Sequence, residues 1–378
     1  MNKRIMISAG EASGDMHAAN IVKALHKKEP GIEVYGMGSA QLRDAGADIL
    51  IDCADIAVVG LVEVLANYRT IKKALNALQV SLKNSPPDLL VLVDYQEFNF
   101  RLAETAKALG IKVLFYISPQ IWAWRQHRVH KIGKIIDMMA VILPFEEKFY
   151  LDANVPVRFV GNPLVDKVVA NKTKEACFDE YTLDKNRPVV GLFPGSRRGE
   201  IKRVLPIQLA AAEELIQEKP DLQFIIPVAR TLNRDIFAPH LSQHNSLNII
   251  LLEDLSYNVI QCCDSIISAS GTATLEISLM GVPYCITYKI AHLSYFILKQ
   301  MVKIKHLGLA NIISDKEPIK EFIQYNTRAT DIARETIRIL DDAEYRQEMI
   351  QALKTVSEML GKSGGINNMA ELILEMLC

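Results

Sequence analysis

The 378-residue sequence lacks the features of several protein classes. None of its six cysteines forms a CxxC pair, and no cysteine and histidine residues have the spacing of a metal site. We therefore expect reduced thiols, as in a cytoplasmic protein, rather than a disulfide framework. No uncharged apolar run approaches the roughly 18–20 residues that a membrane-spanning helix needs. The run Ile5–Ala9 is too short for the core of a signal peptide.

An excess of charge of one sign is also missing, since 43 Lys and Arg residues stand against 44 Asp and Glu residues. The net charge of −1 predicts no general attraction to nucleic acid. Hydrophobic residues make up 49% and charged residues 23% of the chain, as in a packed globular protein. The length fits two domains of ordinary size.

Short apolar runs alternate with helical stretches along the chain, and runs such as Leu89–Val93 are continuously apolar. Such runs are typical of parallel strands that are buried on both faces. The predicted fold class is therefore α/β, with two Rossmann-like, doubly wound domains and ligands at the carboxyl ends of the strands. A polar segment between Pro163 and Pro188 is interpreted as a connection between domains that contains a short helix. The expected domains are 1–165 and 188–345, with the connection at 166–187 and C-terminal helices at 346–378.

The loop Ala9–Asp15 follows the first predicted strand and leads into a predicted helix. Its small residues allow a ligand to approach the backbone, and the helix N-terminus offers free N–H groups. Because Glu11 and Asp15 would repel a pyrophosphate, a sugar whose hydroxyls donate to carboxylates suits the loop better. The alternative is that Ser13 and Asp15 only cap the helix.

Two later turns between a strand and a helix are suited to anions. Gly195-Ser196-Arg197 offers N–H groups and a guanidinium that can fork onto phosphate oxygens, unless it is only a capped turn with solvated arginines. Gly271 and Thr272 open a helix in which Glu276 could accept hydrogen bonds from a ribose. A capping box is the alternative there, although Thr272 and Glu276 are four residues apart rather than three.

Asp94 directly follows the apolar run Leu89–Val93, and Glu97 and Asn99 lie on the same loop. A carboxylate at the end of a buried strand can take the proton of an attacking hydroxyl group if it lies within hydrogen-bond distance. The alternative for Asp94 is a cap for the next helix.

The segment Ser118–Arg125 contains both tryptophans, Trp122 and Trp124, next to Arg125. Aromatic rings beside an arginine can stack on sugars or line an apolar channel, and they serve equally well in packing between domains. His127 and His130 have no third ligand near them, so no metal site is expected.

Seven segments occur in a fixed order along the chain, and together they resemble one family. They are AGEASGD (9–15), VGLVEVL (59–65), SPQIWAWR (118–125), LPFE (143–146), VGNP (160–163), PGSRRGE (194–200) and SGTATLE (270–276). In this order they closely resemble the lipid-A-disaccharide synthases, glycosyltransferase family 19. The resemblance runs from about residue 4 to about residue 320, and AGEASGD with WAWR excludes most other families.

The resemblance implies a GT-B fold, in which two Rossmann-like domains face each other across a cleft and the last helices return to the N-terminal domain. It implies an inverting transfer, without a metal or other cofactor, of 2,3-diacylglucosamine from its UDP ester to 2,3-diacylglucosamine 1-phosphate (lipid X). The products would be the β(1→6)-linked disaccharide 1-phosphate and UDP. The implied location is the cytoplasm, peripherally at the inner face of the inner membrane, with the oligomeric state left open.

The resemblance also assigns roles to residues. Asp94 matches the family's base, although this loop reads DYQEFN where family members have DAPDFN, so Glu97 is a second candidate. Residues that match the donor side of the site are Ser196, Arg197, Gly271, Thr272, Glu276 and Asn311. Residues expected near the acceptor or the cleft are Glu11, Ser13, Asp15, Glu97, Trp122 and Arg125.

The acylated substrates imply an apolar surface on the N-terminal domain. Candidates for contact with the membrane are Val62, Val64, Leu65, Tyr68, Ile71 and Leu75. A similar apolar stretch lies at 293–304. Ordinary core helices with solvated lysines are the alternative for both stretches.

Two other functions fit parts of the sequence. A UDP-N-acetylglucosamine 2-epimerase would share the two domains and the nucleotide turn, but not WAWR or a membrane-facing helix. A non-enzymatic sugar-binding protein that closes on its ligand would carry a secretion signal and would not need Asp94. The fold alone does not choose between these functions.

Overall fold

The computed structural model describes residues 3–55, 67–229, 231–253, 257–291, 295–296 and 304–378. The chain divides into two compact units, which are Met1–Pro163 with Leu360–Cys378, and Leu164–Met359. Each unit contains one β-sheet covered by helices, and the strand pairs of both sheets are parallel. The predicted α/β class is therefore confirmed.

The first unit contains a seven-stranded sheet with the order β3-β2-β1-β4-β5-β6-β7. Strands β1 to β7 are Arg4–Ala9, Glu33–Gly38, Asp48–Asp52, Leu89–Val93, Lys112–Tyr116, Met138–Val141 and Val157–Phe159. The described helices α1 to α7 are Ala12–Lys28, Ala40–Asp44, Tyr68–Asn84, Gln96–Ala108, Ile121–Trp124, Val129–Gly133 and Pro144–Leu151. The strand order reverses between β1 and β4, which pair side by side.

Strand β4 shows why the sheet forms from these residues. All five of its side chains are fully buried. Because side chains alternate along a strand, Leu90 and Leu92 join one hydrophobic core and the other three residues join the core on the opposite face. A strand that is covered on both faces gains from an apolar residue at every position, which explains the continuous apolar run.

The second unit contains a six-stranded sheet with the order β10-β9-β8-β11-β12-β13. Strands β8 to β13 are Val189–Phe193, Gln223–Pro227, Ile249–Leu252, Ser265–Ala269, Tyr284–Tyr288 and Glu321–Ile323. The described helices α8 to α16 are Leu164–Lys167, Lys174–Glu180, Arg198–Glu218, Ala238–Leu241, Asn258–Cys262, Thr272–Leu279, Leu309–Ser314, Ala329–Asp341 and Ala343–Met359. Here the strand order reverses between β8 and β11, which also pair side by side.

The C-terminal helix α17 (Gly365–Leu377) returns to the first unit. Its buried apolar residues join the hydrophobic core beside β1. Asn368 Nδ2 donates to the Val160 carbonyl oxygen at 3.0 Å. Gly365 lies against the backbone of Gly161, where an added Cβ would be only 3.2 Å from backbone atoms. The missing side chain therefore allows this close approach.

The boundaries between the units differ from the expected ones in two places. Helix α16 packs on α13, α14 and α15 of the second unit, so the return to the first unit begins at Leu360 rather than at 346. The segment 166–187 is not a free connection, because it belongs to the second unit and buries Cys177 and Phe178. The short helix expected in this segment is present as Lys174–Glu180, and one of its faces is buried.

Candidate active site

A cavity of about 460 Å³ lies in the second unit at the carboxyl ends of β8 and β11. The strand order reverses at this point, which is the usual ligand position in a doubly wound sheet. Five residues predicted for the donor side line the cavity, namely Ser196, Arg197, Gly271, Thr272 and Glu276. The structure therefore brings both predicted anion turns together.

The turn at Gly271 has the geometry of an anion site. It forms the N-terminus of α13, and no side chain caps that terminus. Glu276 accepts a hydrogen bond from the Tyr257 hydroxyl, and the predicted alternative of a capping box with Thr272 does not form. The first N–H groups of a helix have no acceptor within the helix, and the helix dipole favours a negative charge there.

The turn Gly195–Arg197 differs from the prediction. The backbone N–H groups of Ser196 and Arg197 donate to the Glu200 carboxylate at 2.9 and 3.2 Å. Gly195 has a φ of +107°, and a Cβ on it would collide with this carboxylate. Both N–H groups are thus occupied by an internal acceptor. The Arg197 Nη1 atom lies 3.8 Å from Glu200 Oε1, but the side chain is 80% exposed, so its guanidinium is the group that this turn offers to a ligand.

Tyr257 lines the same cavity, and sequence reasoning missed it. Its hydroxyl donates to Glu276 Oε1 at 3.3 Å. Burial and the neighbouring Glu276 carboxylate raise the pKa of Tyr257 to about 12, so the hydroxyl remains a donor near neutral pH. Burial also raises the pKa of Glu276, while Tyr257 and Lys167 act in the opposite direction. A lone tyrosine before a short helix carries no sequence signal.

Asn311 does not line this cavity. It is fully buried, and its Nδ2 donates to the Ile319 carbonyl at 2.8 Å and to Glu321 Oε1 at 2.7 Å. Its Oδ1 accepts from the Ile319 N–H at 3.0 Å. The structure thus joins Asn311 to the backbone of Ile319 and to Glu321 beside β13, and its predicted contact with the donor stays a prediction.

In the first unit, Asp94 follows β4 at the point where the strand order reverses. Asp94 and Tyr95 both have a left-handed backbone, with φ of 49° and 47°, which is uncommon for residues other than glycine. The Asp94 side chain is partly buried, and burial followed by the charge of Glu11 raises its pKa. Backbone strain and a raised pKa together are typical of functional positions.

The loop Ala9–Asp15 is more tightly packed than predicted. The Tyr95 ring fills the space beside Gly10, so a Cβ on that glycine would collide with the ring. Asp15 is 2% exposed and accepts hydrogen bonds of 2.6, 3.1 and 3.3 Å from three backbone N–H groups at the start of α2. It therefore caps α2 and is not a cleft residue, whereas Glu11 and Ser13 are exposed.

Glu97, the second candidate for the base, lies in a different environment. Its side chain is 72% exposed and forms an ion pair of 2.8 Å with Arg128. The pair joins the start of α4 to the turn before α6. Its surroundings are thus those of a surface ion pair, in contrast to the strained and partly buried Asp94.

The two tryptophans have opposite environments. Trp122 is buried, donates from Nε1 to Glu146 Oε1 at 3.1 Å, and packs edge-on against Phe145. Trp124 is 39% exposed, and the Arg125 guanidinium lies 4.1 Å from its ring centre. Of the predicted acceptor or cleft residues in this segment, Trp122 is therefore part of the core. The ring available to a sugar is Trp124.

The membrane-facing candidates are also divided by the structure. Val62, Val64 and Leu65 lie outside the described residues. On α3, Leu75 is buried in the core and the partly buried Ile71 packs against it, whereas Tyr68 is 49% exposed. Most of the stretch 293–304 also lies outside the described ranges. Among the helices in those ranges, none combines the length and apolar character of a membrane span.

Comparison with known proteins decides the family. The family model described as lipid-A-disaccharide synthetase matches residues 5–376. The chain belongs to this family. The resemblance seen in the sequence motifs is thereby confirmed, and the protein is a glycosyltransferase of lipid A biosynthesis.

Curated relatives match over their whole length. A lipid-A-disaccharide synthase of Trichlorobacter lovleyi is 47% identical over 375 residues, which cover 99% of this chain and 98% of the relative. One of Geobacter metallireducens is 45% identical over 376 residues, covering 100% of this chain and 98% of the relative.

Solved structures share the fold at much lower identity. The UDP-GlcNAc 2-epimerase of Neisseria meningitidis, bound to UDP-GlcNAc, is 16% identical with a TM-score of 0.63, covering 100% of this chain and 99% of its own. MurG of Acinetobacter baumannii is 15% identical with a TM-score of 0.61, covering 99% and 100%. At this identity the likeness establishes the GT-B fold alone.

We expect the two tryptophans to respond differently to substitution. Trp124→Ala removes an exposed ring, so KM for the sugar acceptor should rise about tenfold while Tm stays unchanged. Trp122→Phe leaves the buried Glu146 carboxyl group without its indole donor and should lower Tm by about 5 °C. Steady-state kinetics with varied acceptor and scanning calorimetry measure the two effects. A raised KM in Trp122→Phe alone would contradict this assignment.

Proposed function

We propose that the protein transfers 2,3-diacylglucosamine from its UDP ester to the 6-hydroxyl of 2,3-diacylglucosamine 1-phosphate, with inversion and without a metal. The observation that carries this proposal is the cavity at β8 and β11, which combines a cationic side chain, an uncapped helix N-terminus and a carboxylate. The full-length identity to named lipid-A-disaccharide synthases supports the choice of substrates. The epimerases share only the fold, so their reaction is not favoured.

The donor nucleotide binds in this cavity. The N–H groups at the start of α13 and the Arg197 guanidinium face the diphosphate and stabilise the charge that develops on it as the glycosidic bond breaks. These groups are our reason for proposing a metal-independent reaction. Glu276, held by Tyr257, accepts hydrogen bonds from the ribose hydroxyls.

Asp94 acts as the general base. It takes the proton of the acceptor 6-hydroxyl, the oxygen attacks the anomeric carbon, and the bond to the UDP oxygen breaks, which inverts the configuration. A carboxylate serves as a general base when few water molecules surround it and when its pKa is closer to the working pH than that of a free carboxyl group. Partial burial and the nearby Glu11 carboxylate supply both conditions at Asp94. Glu97 is exposed and already paired with Arg128.

The exposed face of α3 is the proposed contact with the inner face of the inner membrane. The helix carries four basic residues and no acidic one, and all four are exposed: Arg69, Lys72, Lys73 and Lys83. Tyr68 and Val80 are exposed on the same helix. A basic helix with exposed apolar side chains suits an anionic lipid surface.

The reaction is tested with both acylated substrates in the presence of EDTA. We expect UDP release and disaccharide formation in equal amounts. Asp94→Asn should lower kcat about 1000-fold with UDP affinity retained, because it removes only the base. Glu97→Gln is the matched control and should stay within about threefold of the wild type. Turnover of simple UDP-N-acetylglucosamine without disaccharide, or loss of activity in Glu97→Gln alone, would contradict the proposal.

The pH dependence of kcat reports on the base. Because Asp94 acts in its deprotonated form, the rate should fall as the pH drops through its raised pKa. Glu11→Gln removes a negative charge that favours the protonated form, so the acid limb should move to lower pH. The measurement is kcat from pH 4 to 8, roughly the range in which carboxyl groups with raised pKa titrate. A limb that stays in place would count against either the base or its coupling to Glu11.

The membrane contact is tested by sedimentation with vesicles of phosphatidylglycerol and phosphatidylcholine. The double substitution Lys72→Glu and Lys73→Glu should weaken binding at least about tenfold, because it reverses two charges on the proposed face. Lys23→Glu with Lys27→Glu makes the same change on the exposed side of α1 and should have little effect. Equal losses in both variants would show that only net charge matters.

A further inference from the structure

Two buried polar side chains lie beneath the Asp94 loop, and the proposed reaction assigns them no role. Ser8, near the end of β1, and Asn99, in α4, are both fully buried. The Ser8 hydroxyl donates to Asn99 Oδ1 at 2.6 Å. Together they connect β1 to the segment after β4, across the point where the strand order reverses.

The amide group of Asn99 is fully used by hydrogen bonds. Its Nδ2 lies 2.7 Å from the carbonyl oxygen of Asp94, 3.3 Å from that of Ser8 and 3.4 Å from that of Val93. Two N–H groups are thus shared among three carbonyl groups at the ends of β1 and β4. The remaining oxygen of the amide is the acceptor for Ser8. Asparagine is a short side chain that provides both donors and an acceptor.

The carbonyl groups of Val93 and Asp94 need such a donor because the chain leaves β4 abruptly. Pairing of β4 with β5 ends at Val93, and the next two residues adopt the left-handed backbone. A strand ladder cannot continue through that conformation, and a buried carbonyl group without a donor is costly. The strained angles at Asp94 and Tyr95 persist only where their surroundings impose them. Among the described residues, Asn99 is the one whose side-chain amide donates both to the Val93 carbonyl before the turn and to the Asp94 carbonyl within it.

We propose that Asn99, oriented by the Ser8 hydroxyl, is a positioning residue that holds Asp94 in the left-handed backbone from which its carboxylate acts. This inference rests on the proposed role of Asp94 as the base. The direction of a side chain follows from the backbone angles at its Cα. Release of the turn therefore moves the carboxylate relative to the acceptor hydroxyl, and a displacement of about 1 Å can lower a rate about 100-fold.

Positioning and stability have different signatures in the pH profile. Burial, then Glu11 from the loop after β1, raises the pKa of Asp94, while the Tyr95 N–H lowers it. A carboxylate that moves towards water loses the effect of burial, so its pKa falls and the acid limb of kcat moves to lower pH. A substitution that only destabilises the fold leaves the limb of the remaining folded enzyme in place.

The test compares Ser8→Ala and Asn99→Ala in the full chain. We expect kcat to fall about tenfold and about 100-fold respectively, with the acid limb at lower pH. KM for both substrates, from steady-state kinetics, should stay within about twofold. Kd for UDP, from calorimetry, should also stay within about twofold, since the nucleotide cavity belongs to the second unit. Ser8→Thr keeps the hydroxyl and should recover most of the activity. Ser265→Ala is the matched control, because this buried strand hydroxyl has no hydrogen-bond partner among the described residues.

Asp94→Asn separates the inference from the function on which it rests. If Asp94→Asn is inactive while Ser8→Ala and Asn99→Ala keep the wild-type kcat and pH profile, the positioning role is overturned and the base stands. If Asp94→Asn remains active, both are overturned. Should Asn99→Ala fail to fold, Ser8→Ala decides the question alone. A lower kcat with a shifted limb supports positioning, and a lower Tm with an unshifted limb overturns it.

Discussion

Reversal of the strand order is the constraint on which both candidate sites depend. Because β1 and β4 are neighbours in one sheet and β8 and β11 in the other, the loops after each pair diverge and leave room for a ligand at the carboxyl edge. Asp94 and the loop of Glu11 lie at the first reversal, and the cavity with Arg197 and Glu276 lies at the second. Burial of these strands on both faces fixes the positions from which the loops start.

The two reversals carry opposite chemistry, which matches the two halves of an inverting transfer. Carboxylates dominate the first, where burial and then the charge of Glu11 raise the pKa of Asp94. An arginine and an uncapped helix N-terminus dominate the second, where they suit a leaving diphosphate. Each site also contains a polar side chain that orients a carboxylate-bearing residue. In the second unit the half-buried Tyr257 hydroxyl donates to the Glu276 carboxylate. In the first unit the buried Asn99 amide donates to the backbone of Asp94, and we infer that it positions this residue.

The fold class and most of the nucleotide cavity could be predicted from the sequence, because buried parallel strands are continuous apolar runs and ligand loops follow them. The positions that could not be predicted depend on contacts between distant segments. Asp15 caps the helix that begins at Ala40, and the first N–H that it accepts from, that of Ser39, lies 24 residues further along the chain. Glu200 is different, since it lies three residues after Arg197 at the start of α10, a position from which a Glu side chain commonly reaches back to the backbone N–H groups before the helix.

The tryptophans illustrate the same limit. Trp122 and Trp124 are two residues apart on one short helix, so they point in different directions, but the sequence does not say which points inwards. The partner that decides it, Glu146, lies 24 residues away. Patterns along the chain therefore report burial well and report the partners of single polar groups poorly.

A crystal structure of the UDP complex tests the central assignment most directly. We expect the diphosphate at the N–H groups that begin α13 and at the Arg197 guanidinium, with the ribose hydroxyls on Glu276. The backbone N–H groups of Ser196 and Arg197 should remain bonded to Glu200. A diphosphate on the loop Ala9–Asp15, or one that displaces Glu200 and leaves α13 unoccupied, would contradict it.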